Sequence, residues 1–165
     1  MNIEVTLAGH AERLIVRNLM ELYQHDFSEL DGTDLDEHGQ YGYPDLDCFW
    51  VHPGHAAHVI KVDGKWAGFA LTNQEVYLPG STHAIVEFFV VRKYRRLGVG
   101  QHAAQAIIRQ LPARWEMHVI AENEAARRFW QKLACAHWPD KQRMDVFDNE
   151  QWRGLVFSVD TLTSP

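Results

Sequence analysis

RKYRRLGVGQHAAQAI, residues 92–107, is the stretch on which the fold turns. Arg92, Lys93, Arg95 and Arg96 crowd its front, although the 165-residue chain carries a net charge of -6. Gly98 and Gly100 follow, then an alanine-rich run expected to be helical over 99–110 and to stop at Pro112. The residues just before, HAIVEFFVV (83–91), are β-branched and aromatic and predict a strand. Glycines between a strand and a helix let the main chain approach a ligand. The unpaired N–H groups of the helix start then point at an anion. Guanidinium groups suit phosphate oxygens, so the pattern reads as a cradle for a pyrophosphate. The competing reading is a tight turn with solvated arginines. A P-loop is disfavoured because Gly100 is followed by Gln101 and His102 rather than Lys and Ser/Thr, and a Rossmann site because only G-x-G is present, after four strands instead of one.

Outward from this stretch, IEVTLA (3–8) alternates as a first strand, and Leu14, Ile15, Leu19, Leu22, Tyr23 and Phe27 recur at helical spacing over 10–30. HVIKVDGKWAGFAL reads as a hairpin about Asp63-Gly64. WEMHVIA is a further strand, and Asn123 is placed to cap a helix whose apolar stripe is Ala125, Ala126, Phe129, Trp130 and Leu133. GLVFSV (154–159) is the last strand read. The order β-α-β-β-β-α-β-α-β predicts an α/β (α+β) domain over 1–165, a mixed sheet with helices on both faces. The hydrophobic share of 46% and charged share of 23% suit one core and a soluble chain. No 18-residue apolar run and no leader pattern occur, so a membrane span is not expected. Cys48 and Cys135 are expected to be free thiols in the cytoplasm. Overall acidity argues against nucleic acid as a partner.

EFFVVRKYRRLGVGQHAAQAIIRQL resembles motif A of the GNAT superfamily of acyl-CoA-dependent N-acyltransferases, whose signature Gln/Arg-x-x-Gly-x-Gly/Ala is met by Arg95, Gly98 and Gly100. MHVIAENEAARRFWQKLAC resembles the strand and helix that follow in that family, so the likeness runs over about 85–136. It implies a GNAT-type, mostly antiparallel sheet, acetyl-CoA as cosubstrate, and an N-acetyltransferase acting on a primary amine of a small molecule or a protein. Main chain at Phe89, Val90 and Val91 would pair with the pantetheine arm, and the Val90 N–H would hold the thioester carbonyl. The N–H groups of Arg96, Leu97, Gly98, Val99, Gly100 and Gln101 would bind the pyrophosphate. Asn123 would touch the cofactor arm, with Phe129 and Trp130 packed near it. Relatives often pair as dimers.

Acyl transfer to an amine needs a base, an oxyanion donor and a proton for the leaving thiolate. Glu87, alone among apolar residues three before Val90, is the candidate base, because burial would raise its pKa. A solvent-facing or ion-paired Glu87 is the other reading, and His83 is a second candidate. The tyrosine the family often places second in its helical aromatic pair is here Trp130, and an indole N–H is no acid. Water, or Tyr41 or Tyr43 from the long segment 31–47, would have to supply the proton. The same departure keeps a non-catalytic acyl-CoA-binding module in play. Between Asn18 and Ile60 there is no Lys or Arg, while Asp26, Glu29, Asp31, Asp34, Asp36, Glu37, Asp45 and Asp47 lie among Tyr41, Tyr43, Phe49 and Trp50. Such a lining would steer a cationic amine; a solvated acidic loop is the simpler alternative. His52, His55 and His58 stand three apart, but Pro53 and Gly54 break a helix there and no carboxylate or cysteine joins at a standard spacing, so no metal site is expected.

Overall fold

The computed structural model describes residues 1–150 and 152–162. Among these, seven strands and four α-helices follow the chain as β1 (Ile3–Leu7), α1 (Arg13–Asp31), α2 (Cys48–Val51), β2 (Ala56–Val62), β3 (Lys65–Asn73), β4 (His83–Val90), α3 (Val99–Gln110), β5 (Arg114–Ile120), α4 (Glu124–His137), β6 (Gln142–Asp148) and β7 (Arg153–Asp160). The sheet order is β1-β2-β3-β4-β5-β7-β6. Its pairing is mixed, with β4 and β5 parallel and β1–β2, β2–β3, β5–β7 and β6–β7 antiparallel. The chain divides into two compact units, Met1–Thr72 with Glu87–Ala103, and Asn73–Val86 with Ala104–Pro165.

In the first unit β1 runs antiparallel to β2, from Ile3 opposite Val62 to Leu7 opposite His58. The β2–β3 hairpin turns at Asp63 (φ 49°) and Gly64 (φ 72°), the two left-handed positions a tight primed turn requires. The end of β4 shows strand alternation at work. Phe89 faces the rings of Tyr23 (5.9 Å) and Phe69 (5.9 Å). Phe88 and Val90 instead pack on Ile60, Val62, Ala67 and, from α3, Val99 and Ala103. Gly68 of β3 lies hard against the β4 main chain: a Cβ there would stand 2.1 Å from the Phe89 carbonyl oxygen.

In the second unit His83–Ile85 of β4 pairs with Trp115–Met117 of β5, and β7 lies between β5 and β6. The Asn123 side chain caps α4 by accepting the Ala126 N–H at 3.0 Å. Trp130, Leu133 and Ala134 form the buried face of α4, whereas Ala125, read from the sequence as part of that stripe, is exposed. Glu116 of β5 is fully buried. It accepts the N–H groups of Tyr77 (2.9 Å) and Leu78 (2.7 Å), and His118 Nε2 lies 2.9 Å away. Burial pushes the Glu116 carboxyl up, but the His118 contact and these N–H bonds together hold it below its ordinary range. It thereby fastens the 73–82 connection to the strand.

The sequence reading missed β6 and α2. In QRMDVFD the outward-facing Met144 and Val146 are exposed, so the strand offers no clean buried face to a pattern search. The single turn CFWV of α2 is too short for helical periodicity to register.

Candidate functional site

Glu87 sits in β4 two residues before Phe89, on the face that meets α1. The Tyr43 hydroxyl donates to its Oε1 at 3.0 Å, and the Tyr23 hydroxyl of α1 bonds to the same carboxylate. Burial raises the pKa of Glu87, and the two tyrosine bonds oppose that rise without cancelling it. Tyr23 is pushed well above the ordinary tyrosine range, first by burial and then by the charge of Glu87, so it remains a neutral hydrogen-bond donor. The arrangement is a carboxylate of raised pKa flanked by two phenols. Of the two loop tyrosines considered from sequence, Tyr43 reaches the carboxylate. Tyr41 turns to His25 (3.2 Å) and Ser28 (3.2 Å) instead, its own N–H held by Glu21. Tyr23 was legible only as one apolar position of α1; nothing local marks its hydroxyl as a partner of a residue 64 positions on.

The other sequence candidate for the base, His83, has both ring nitrogens engaged, Nδ1 at 2.9 Å from Thr82 Oγ1 and Nε2 at 3.4 Å from Gln74 Nε2. Burial lowers its pKa.

Beyond β4 the chain makes a 3-10 turn at Arg92–Tyr94 and enters α3 at Val99. Arg96 (φ 62°) and Gly98 (φ 82°) both occupy the left-handed region, so the main chain folds back on itself before α3. A Cβ added at Gly98 would meet nothing within 4 Å, which leaves the space over the loop open to a ligand. The start of α3 at Val99 and Gly100 directs main-chain N–H groups outward from the helix end, as helix N-termini do. These features fit a bound diphosphate.

Arg95 is committed elsewhere in this structure. Its Nε donates to the Val90 carbonyl at 2.7 Å, its Nη2 pairs with Asp26 Oδ2, and its guanidinium lies 5.5 Å from the Phe89 ring. Asp26 also accepts from Arg92 Nε (3.0 Å) and Nη2 (2.6 Å). Partial burial pushes the Asp26 carboxyl up, yet the bonds from Arg95 and Arg92 leave it below its ordinary range. Arg95 thereby links β4, the loop and α1. Val91 N–H donates to the Ala67 carbonyl at 2.8 Å, which ties the end of β4 to β3. Leu97 and Gln101 are exposed. In the second unit Asn123 spends its side-chain oxygen on the α4 cap, and Phe129 and Trp130 stack edge-on at 4.8 Å, with Trp130 buried.

The acidic segment proves to be built largely on its own carboxylates. Asp36 accepts the N–H groups of His38 and Gln40, Asp31 that of Thr33, and Glu21 those of Tyr41 and Gly42. Asp47 pairs with Arg13 (2.8 Å) and Arg17 (3.0 Å). Asp34 and Asp45 remain exposed.

The sequence profile of the acetyltransferase (GNAT) family matches residues 16–134, more than half of the chain. The chain belongs to the GNAT acetyltransferase family. It is accordingly an acyltransferase whose acyl donor is acetyl-CoA. No curated protein matches this GNAT acetyltransferase by sequence. Solved structures share its fold. An acetyltransferase from Thermus thermophilus is 16% identical, with 96% of each chain covered and a TM-score of 0.72. The PaiA N-acetyltransferase of Thermoplasma acidophilum, solved with coenzyme A, is 11% identical over 97% of this chain and 99% of that one, with a TM-score of 0.63. The diaminobutyrate acetyltransferase EctA of Paenibacillus lautus, solved with L-2,4-diaminobutyric acid and coenzyme A, is 13% identical over 99% of this chain and 98% of that one, with a TM-score of 0.62. At these identities the likeness is one of fold. No helix among the described residues is long and apolar enough to cross a membrane.

Proposed function

We propose that this GNAT acetyltransferase is a single catalytic domain that acetylates a primary amine on a small cationic acceptor by direct attack of the amine nitrogen on the thioester carbonyl. The C–N bond forms first, giving a tetrahedral oxyanion whose collapse breaks the C–S bond. The amine proton passes to Glu87, directly or through one water, and the thiolate leaves as the thiol. The observation that carries this reading is the Glu87 carboxylate, with its pKa raised by burial and held between the hydroxyls of Tyr43 and Tyr23. A base so tuned works nearer neutral pH than an ordinary carboxylate. Tyr43 gives its phenolic proton to the departing thiolate, which Trp130 cannot do, and regains one from Glu87, which by then holds the amine proton. The Val90 N–H is assigned to the developing oxyanion. The main-chain groups of 96–101 are assigned to the diphosphate, and Asn123 and Phe129 to the cofactor arm. Asp34 and Asp45 add negative potential next to the segment carrying Tyr43, and the diaminobutyrate bound to the EctA structure is an acceptor of the proposed class.

A thiol-release assay with acetyl-CoA and a panel of diamines, polyamines and amino sugars tests this. Turnover with a cationic amine is expected. Glu87→Gln should lower kcat by about 10²- to 10⁴-fold, the usual worth of a positioned base, with acetyl-CoA affinity unchanged. Unchanged turnover in Glu87→Gln would remove Glu87 as the base.

A further inference from the structure

The cluster that the reaction does not use lies at the other end of the acidic segment. Cys48 opens α2, His52 follows one turn later with its N–H on the Cys48 carbonyl (2.9 Å), and the Pro53-Gly54 turn (Gly54 φ 78°) returns the chain so that His55 N–H bonds the His52 carbonyl (3.2 Å). The Cys48 thiol and one nitrogen from each imidazole consequently lie within 4.8 Å of one another. We propose that Cys48, His52 and His55 form a binding site for a zinc-class divalent transition metal.

The chemistry of the donor set selects the ion. One thiolate and two imidazoles are borderline-soft ligands that suit zinc and its neighbours over calcium or magnesium. Tetrahedral Zn–S and Zn–N bonds place such donors roughly 3.5 Å apart, so the three atoms must close by about an ångström. His52 is exposed, and its ring already meets that of His55 edge-on with centroids 5.6 Å apart. The scaffold on which they close is stiff. Leu46 and Phe49 are buried, and the Trp50 indole N–H donates to the Ala8 (2.8 Å) and Gly9 (3.2 Å) carbonyls. His55 packs against the Phe49 ring at 5.3 Å, and its Nδ1 stands 3.5 Å from the Pro53 carbonyl oxygen. A proton on Nδ1 directed there leaves Nε2 as the ligand atom, the outer-sphere arrangement metal-bound histidines favour. Three protein ligands leave a fourth position for water or an exogenous donor. The sequence reading weighed His52, His55 and His58, found no carboxylate or cysteine at a standard spacing, and expected no metal site. In the fold His58 is buried inside β2 and Cys48 takes its place. Binding would tie α2 to the start of β2.

Cobalt(II) titration of the untagged full-length chain tests the site without reference to catalysis. One equivalent of Co²⁺ should produce a thiolate-to-cobalt charge-transfer band in the near ultraviolet, and one equivalent of Zn²⁺ should abolish it. Cys48→Ser should eliminate the band and Cys135→Ser should leave it intact. His52→Ala, at an exposed position whose loss does not threaten folding, should weaken Co²⁺ binding at least tenfold. Absence of the band in the parent chain, its survival in Cys48→Ser, or unaltered affinity in His52→Ala each overturns the proposal.

Discussion

Glu87 is governed by two opposed influences, and their balance sets a pH dependence. Burial favours the neutral acid, and the hydroxyls of Tyr23 and Tyr43 favour the anion. The net shift is upward, so if Glu87 is the base as proposed, it is unprotonated, and the enzyme active, only above a pKa higher than that of a free carboxylate. Activity should therefore rise with pH through that value and fall off on the acidic side. Removing the Tyr43 bond takes away one influence that lowers the pKa. Tyr43→Phe should accordingly move the acidic limb of the kcat profile to higher pH. It should also reduce kcat about 10- to 100-fold, in line with the worth of a hydrogen bond to a charged group. An unmoved limb would separate Tyr43 from the base. The same linkage governs stability. A carboxyl whose folded pKa is raised loses stabilisation as pH climbs from its unfolded to its folded pKa. The Tm of Glu87→Gln relative to the parent should thus improve from mildly acidic to neutral pH, as thermal melts across that range would show.

At the scale of elements, the join between β3 and β4 and the loop into α3 are held by different means. Gly68 permits close approach of two main chains, and its missing side chain is the whole of its contribution. The 2.1 Å contact that a Cβ would make is with a carbonyl oxygen, which no rotamer change relieves. Gly68→Ala should destabilise the protein by about 1–3 kcal/mol or more, as overpacking does. Because Phe89 and Val90 would shift, kcat should fall as well, which urea unfolding beside a turnover assay would register. The loop depends on Asp26 instead. Its pKa is depressed by Arg95 and Arg92, so its stabilising effect is full above the unfolded carboxyl pKa and fades as pH falls through the folded one. Asp26→Asn should weaken acetyl-CoA binding, measured by calorimetry, because Arg95 then loses the α1 end of its brace. The hairpin about Asp63-Gly64, the α4 cap at Asn123 and the strand–glycine–helix unit were all legible, since each is encoded within a few residues. β6 was not, because its exposed Met144 and Val146 blur the alternation.

For the whole molecule the net charge of -6 coexists with a cationic run at 92–96. Arg92 and Arg95 share the single carboxylate of Asp26, which offsets only part of their charge, so the proposed anion site would draw on main-chain N–H groups as well as on the remaining positive charge. Saturating acetyl-CoA at a hundred times its Kd should stabilise the folded chain by about 2.7 kcal/mol. Gly98→Glu, which places bulk and negative charge in the open space above the loop, should abolish that shift in a thermal melt. Acceptor capture should be salt-sensitive: neutralising Asp34 and Asp45 together is expected to raise KM for a cationic amine several-fold at low ionic strength and to matter little at 1 M salt, where the screening length is about 3 Å. An unchanged KM at low salt would discard the steering.

By itself the sequence determined what depends on neighbours along the chain: the strand, the glycine turn and α3, the capped α4, the family, and Glu87 as an acid stranded in an apolar strand. The tertiary structure alone decided which distant groups act on those features. Tyr43 and Tyr23 reach Glu87 from positions 44 and 64 residues earlier, Asp26 claims Arg95, and a proline-glycine turn brings Cys48 to His52 and His55. Local backbone preference and periodicity are short-ranged and leave a trace in consecutive letters. A hydrogen bond or ion pair between residues far apart in the chain depends on where packing delivers each side chain, and no run of letters records that.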